Sequence, residues 1–157
     1  MFSPFFSLEE LTATSTGIPN DPPRGVVTSL RALCAAVLVP VREKVGPWAI
    51  SSGYRSPDVN SAVGGSRTSQ HMVGEAADGH PASMPTGDAW LIILDMIDAG
   101  LPVDQAIIYP LRGPFIHLSH TQSRQNRRQV LWSTGNGYPE WTTADTERLR
   151  STGDFPG

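Results

Sequence analysis

The sequence predicts an α+β domain, a small antiparallel sheet with helices packed on one side. Three observations lead there. Leu30, Leu33, Ala36, Val37 and Val41 recur near a helical period. Trp90, Ile93, Leu94 and Ile97 repeat that spacing further along the chain. Two short runs, Gln105–Leu111 and Phe115–His120, then flank Arg112-Gly113-Pro114 as an antiparallel pair. Helices that precede such a pair lay their apolar stripes on one face of its sheet.

The 157 residues fit a single domain, since domains hold about 100–200. The segment 1–24 reads as irregular, with Phe2, Phe5, Phe6 and Leu8 available to pin it and one helical turn at Leu8–Leu11. A helix is expected over Val26–Val45, opened after Pro23, stopped by Gly46 and bent at Pro40. Trp48–Ser52 reads as a strand, residues 58–70 as an ordered surface loop rich in Gly, Ser and Asn, and Glu75–Asp78 as a second short strand. Thr86 is placed to cap a helix over Gly87–Ala99, with Gly100 as its stop. A polar helix is expected over Thr143–Arg150, and 151–157 as a frayed tail.

Hydrophobic content of 39% against 17% charged residues is a globular balance and excludes a disordered chain. The net charge of −3 argues against a nucleic-acid partner, and the one dense basic run, Arg124, Arg127 and Arg128, reads as solvated surface. Cys34 is the single cysteine, so no intramolecular disulfide forms. Its segment LRALCAAVLVPV marks it as a small buried hydrophobe. No apolar run approaches the roughly 18 residues of a membrane helix, and MFSPFFSLEEL lacks the n- and h-regions of a secretion signal. The expectation is a soluble monomer made in the cytoplasm, with no membrane partner.

Of the four histidines, two stand in chemically suggestive places. His71 precedes Asp78, whose neighbours Gly74, Ala76 and Ala77 leave little bulk to bury a carboxylate. His117 shares a strand face with Phe115 and Ser119, while Ile116 and Leu118 turn the other way into a core. Two imidazoles and one carboxylate suit Zn²⁺ and leave a tetrahedral position open, although spacing alone leaves a chance triplet as an alternative. His80 reads as exposed or as supporting the site, and His120 faces away from His117.

The stretch SGYRSPDVNSAVGGSRTSQHMVGEAAD, followed by FIHLS, resembles the zinc D-alanyl-D-alanine carboxypeptidases and L-alanyl-D-glutamate endolysin peptidases. Those enzymes share the fold of the vancomycin-resistance dipeptidase and the hedgehog domain. The resemblance is to compact phage-type members and runs from about Phe6 to about Leu131, taking in FFSLEELTATSTGIPNDPP and LRALCAAVLVPVREKVG. It implies one Zn²⁺ held by His71, Asp78 and His117. It implies that Arg55 holds the scissile carbonyl or a substrate carboxylate, a task that suits a guanidinium; without the motif, Arg55 is an ordinary ion-pair residue. Ser69 would contact substrate or steady the site, or be a turn hydroxyl. Tyr54 belongs with the substrate-binding loop, which it and Asn60 shape.

The implied activity is hydrolysis of amide bonds in peptidoglycan stem peptides at the bacterial wall, in phage lysis or wall remodelling. In the relatives a carboxylate just before the second histidine moves the proton. Residues 105–116 contain no Asp or Glu, and Pro110 and Pro114 stand where it is expected. Asp104, Glu75, Glu140 and Asp88 are distant candidates, and Tyr109 or His80 could share the task. The alternative is a zinc domain without catalysis that binds wall peptides or a partner protein, and a metal-free virion protein is a third.

Overall fold

The computed structural model describes residues 2–111 and 113–157. Met1 and Arg112, the latter expected in the turn between two strands, lie outside the described residues. The elements are α1 (Leu8–Thr12), α2 (Arg24–Leu33), a π-helical segment (Cys34–Leu38), α3 (Val39–Val45), β1 (Trp48–Ser52), α4 (Pro57–Ala62), a 3-10 helix (Gln70–Val73), β2 (Ala76–Pro81), α5 (Thr86–Asp98), β3 (Gln105–Tyr109), β4 (Phe115–Ser119), β5 (Gln129–Trp132) and α6 (Thr143–Thr152).

The sheet order is β1-β2-β4-β3-β5. All neighbours are antiparallel except β3 and β5, which run parallel. The α+β class therefore holds, and the sheet gains a parallel edge that the sequence did not announce. QVLW is four residues long and follows a polar loop, too short to show a period.

Alternation along the strands separates the two faces of the sheet. Ala77, Ala106, Ile108, Ile116 and Leu118 enter the core, with Val130 and Trp132 packed against it. The core also holds Leu30, Leu33, Val37, Leu38 and Val41 from the α2–α3 run, and Trp90, Ile93 and Ile97 from α5. By length and composition, the 22-residue run Arg24–Val45 is apolar enough to cross a membrane. Its Leu30, Leu33 and Val37 are nevertheless fully buried in this core. Cys34 is buried there too, and desolvation pushes its thiol up to about 12. Phe6 joins the core from the N-terminal segment, while Phe5 stays exposed under the Arg42 guanidinium.

Several elements depart from expectation for identifiable reasons. The irregularity at Pro40 is a widened turn just before it, where the Val39 amide reaches back to the Cys34 carbonyl. Proline lacks an N–H and its ring crowds the preceding turn, and a π-turn absorbs both defects. Part of the loop expected at 58–70 is helical, because Ser56 caps α4 through the Val59 amide and Pro57 occupies its first turn. Thr86 is the first residue of α5 and not its cap; Pro85 holds that position without a side-chain bond. α6 runs on to Thr152, so Ser151 and Thr152 are helical, and Phe155 packs against the core. A capping box between Thr142 and Asp145 starts that helix.

Candidate metal centre

Three chain segments converge on the face of the sheet opposite the core. Asp78 on β2 and His117 on β4 are direct cross-strand partners. His71 comes from the 3-10 helix, whose first amides are capped by Ser69; its hydroxyl accepts from the His71 N–H at 3.3 Å. Gly74 closes that helix in the left-handed region (φ 72°), where its missing Cβ lets the turn lie 2.6 Å from the Val26 carbonyl oxygen, measured to an ideal Cβ position.

The geometry fits a metal ion. One ligand atom from each of His71, Asp78 and His117 lies within 4.8 Å of the others, and all three residues are buried. His71 Nδ1 stands 2.7 Å from the Gly53 carbonyl. A carbonyl only accepts, so Nδ1 carries the proton and Nε2 is left free to face Asp78 Oδ1 at 3.3 Å. His117 Nδ1 reaches the same oxygen at 2.8 Å. With the imidazoles neutral, the donor set is two nitrogens and a carboxylate oxygen, which is what Zn²⁺ takes. Burial works to raise the Asp78 carboxyl, but with the imidazoles protonated and no ion between them the His71 charge and hydrogen bonds from His117 and His71 outweigh it. The carboxyl is held well below the usual carboxylate range.

Arg55 lies behind Asp78, and a bulge puts it there. The β1–β2 register shifts between Ile50 and Ser52, so that Ser52 pairs with Asp78. Arg55 then donates through Nε to Ser52 Oγ at 2.9 Å, through Nη1 to Asn60 Oδ1 at 3.4 Å and through Nη2 to Asp78 Oδ2 at 3.0 Å. The guanidinium both fixes the carboxylate and lines the cavity.

That cavity, of about 590 Å³, is bordered by Ser69, Gln70 and the three candidate ligands. Gln105, Ile107 and Tyr109 of β3, Phe115 of β4 and Leu131 of β5 continue its floor, all from the face opposite the core. Tyr109 stacks on Phe115 with ring centroids 4.4 Å apart and a 10° interplanar angle. Burial, then the neighbouring Tyr138, raises the Tyr109 phenol above its ordinary range. Gln105 and Ile107 were missed from the sequence, although alternation in register with His117 would have found them; Tyr109 was named there only as a sharer of proton transfer. Arg127, Leu131 and Tyr138 come from around the unforeseen β5 and carried no such signal.

Tyr54, Asn60, His80 and His120 lie outside the cavity lining, and of these Tyr54 departs from its expected place. Tyr54 is buried in the core and lines a separate depression with Ala13, Thr14 and Ser15. The chain turns after β1, and its ring gains more from that apolar packing than from the polar cavity. Asn60 holds the Ser66 carbonyl as well as Arg55. His80 is exposed opposite Ala49, and His120 Nδ1 is within 2.7 Å of the Pro102 carbonyl.

Two of the acids named from the sequence, Asp104 and Glu75, are engaged elsewhere, and neither Glu140 nor Asp88 lines the cavity. Asp104 is fully buried and accepts from Arg124 at 2.6 and 2.9 Å, from Arg127 at 2.8 Å and from Gln70 at 3.1 Å. Desolvation raises its pKa, but the two guanidiniums override this and leave it below the usual range. Arg124 and Arg127 are therefore not the plain solvated surface that their spacing suggested. Glu75 accepts from Thr121 at 2.7 Å. Among the described residues that line the cavity, Asp78 is the sole carboxylate.

A comparison with curated proteins returns no match. A family model described as Peptidase M15 matches residues 5–118, a span that begins ahead of α1 and ends just past His117.

Proposed function

The chain belongs to the peptidase M15 family, and from that premise we propose that it is a zinc-dependent peptidase acting on peptidoglycan stem peptides. The observation that carries this reading is the convergence of His71, Asp78 and His117 on the floor of an open cavity. A bound Zn²⁺ supplies Lewis acidity and makes water nucleophilic near neutral pH. The chain's own residues do the rest. Gly53 sets the His71 tautomer, and Arg55 keeps the Asp78 carboxylate oriented. The remaining Arg55 N–H groups suit a substrate carbonyl or carboxylate. Ser69, on the cavity edge, is within reach of a peptide backbone. The substrate places the site of action at the bacterial wall, in phage lysis or wall remodelling.

The test is digestion of purified sacculi by zinc-loaded protein, with products identified by mass spectrometry. Free D-alanine would mark carboxypeptidase action, and a new amino-terminal D-glutamate would mark L-alanyl-D-glutamate cleavage. His71→Ala is expected to lower the rate by at least about 10²-fold, since even outer partners of metal ligands cost 10–100-fold. Unchanged cleavage by that variant sinks the proposal.

The absence of a second carboxylate among the described lining residues favours one other reading, a zinc-holding domain that binds wall peptides without cutting them. Protein that holds one zinc and retains stem peptides, yet releases no product, would establish that reading instead.

A further inference from the structure

A peptidase needs a donor for the oxygen that becomes negative as the scissile carbonyl is attacked, and such donors are often the largest single contribution to catalysis. Arg55 is heavily committed here, with Nε, Nη1 and Nη2 each bonded to Ser52, Asn60 or Asp78. Ser69 Oγ faces the His71 amide. Tyr109 is differently situated. It ends β3 on the cavity face, two residues after Ile107, which pairs with His117. That makes Tyr109 a diagonal cross-strand neighbour of His117, a separation of about 7–8 Å that an aromatic side chain spans. Its ring is immobilised by the stack on Phe115 and by an edge contact with Tyr138 at 6.0 Å. Among the described residues its hydroxyl donates to the Tyr138 hydroxyl alone, at 3.4 Å, a long and readily exchanged bond. A phenol is neutral at ordinary pH and so arrives with its proton in place.

We propose that Tyr109 is an oxyanion donor of this site, with the Tyr138 hydroxyl as its resting acceptor. The inference rests on the peptidase reading. On substrate binding the Tyr109 O–H leaves Tyr138 and donates to the scissile carbonyl oxygen, and the bond shortens as charge builds there. The proton remains on Tyr109 throughout, so no covalent bond to the residue forms or breaks. Tyr109 in this role stabilises charge and does not replace the proton-carrying carboxylate that the described lining lacks.

The experiment compares zinc-loaded wild type, Tyr109→Phe and Tyr138→Phe, with zinc content and melting temperature matched. The probes are phosphinate analogues of D-alanyl-D-alanine and L-alanyl-D-glutamate, which present tetrahedral anionic oxygens. Reduced isosteres with a methylene in place of the carbonyl serve as controls. Tyr109→Phe keeps the stack and is expected to weaken phosphinate binding about 10²-fold while leaving the reduced isostere unchanged. Tyr138→Phe removes the acceptor that competes for the Tyr109 O–H and is expected to tighten phosphinate binding slightly, the opposite direction to Tyr109→Phe. Unchanged phosphinate binding in Tyr109→Phe, or equal weakening of both ligands, overturns the inference. So does a wild type that shows no preference for the phosphinate. Sacculus cleavage is scored separately: its absence beside a retained, Tyr109-dependent preference counts against the peptidase reading and leaves the donor assignment standing.

Discussion

Asp78 concentrates the electrostatics of the cavity. One of its oxygens faces both imidazoles, and the other accepts from Arg55. Replacing it by asparagine keeps the shape but removes the charge on which Arg55 and any cation depend. Asp78→Asn is therefore expected to lower zinc affinity by about 10²-fold or more, read by competition with a chromophoric chelator. The tautomer of His71 depends on a backbone carbonyl that no side-chain substitution removes. An indirect route exists at Gly53 itself, where an added Cβ would collide with the Leu11 carbonyl. Gly53→Ala must move that carbonyl or α1, and should lose zinc affinity without touching a ligand.

Between residues and fold lie two short elements that hold the site from behind. α4 is capped by Ser56 and presents Asn60 to Arg55. Ser56→Ala is expected to cost about 1 kcal/mol, measured by urea unfolding, and to loosen Arg55 in the same step. The second element is the loop 121–128, fastened to the start of β3 by Asp104. That carboxylate binds Arg124, Arg127 and the Arg127 amide, and also Gln70, the neighbour of His71. Losing a fully buried ion pair costs about 3–5 kcal/mol. Here the arginines are half-exposed and can rehydrate, so Asp104→Ala should cost nearer 2 kcal/mol. Asp104 has a folded pKa below its ordinary 3.8. Its contribution is thus complete above that value and is lost as pH falls toward the lower folded one. Acid unfolding curves of wild type and Asp104→Ala should converge below about pH 4.

For the whole molecule, the metal centre joins β2, β4 and the 3-10 helix across one face of the sheet, so occupancy and folding are linked. An ion that binds the native state alone stabilises it by about 2.7 kcal/mol at a hundred times its Kd. For a chain of this size that is a rise of roughly 5–10 °C in Tm. Scanning calorimetry with zinc, with EDTA and with His71→Ala should show the rise, its reversal and its loss. Leu118→Ala, on the opposite face of the strand that carries His117, should lower Tm through a cost of about 2–5 kcal/mol. It should leave the zinc-induced rise in place, because the two faces of the sheet do separate work.

What short-range physics controls could be read along the chain. Helical periods placed α2, α3 and α5 to within a few residues, strand alternation turned His117 away from Ile116 and Leu118, and composition put Cys34 in the core. The convergence of His71, Asp78 and His117 was legible because the motif named all three and alternation set His117 on the face opposite the core. Tertiary structure alone decided which distant groups meet. β5 pairs in parallel with β3 across an intervening strand and loop, and so brings Leu131 into the cavity; Tyr138 follows from beyond it. Asp104 draws Arg124 and Arg127 out of their apparent role as surface charges, and Tyr54 turns into the core. Those outcomes depend on contacts between residues far apart in the chain. A local pattern carries no record of such contacts, since their energy appears only once the sheet has closed.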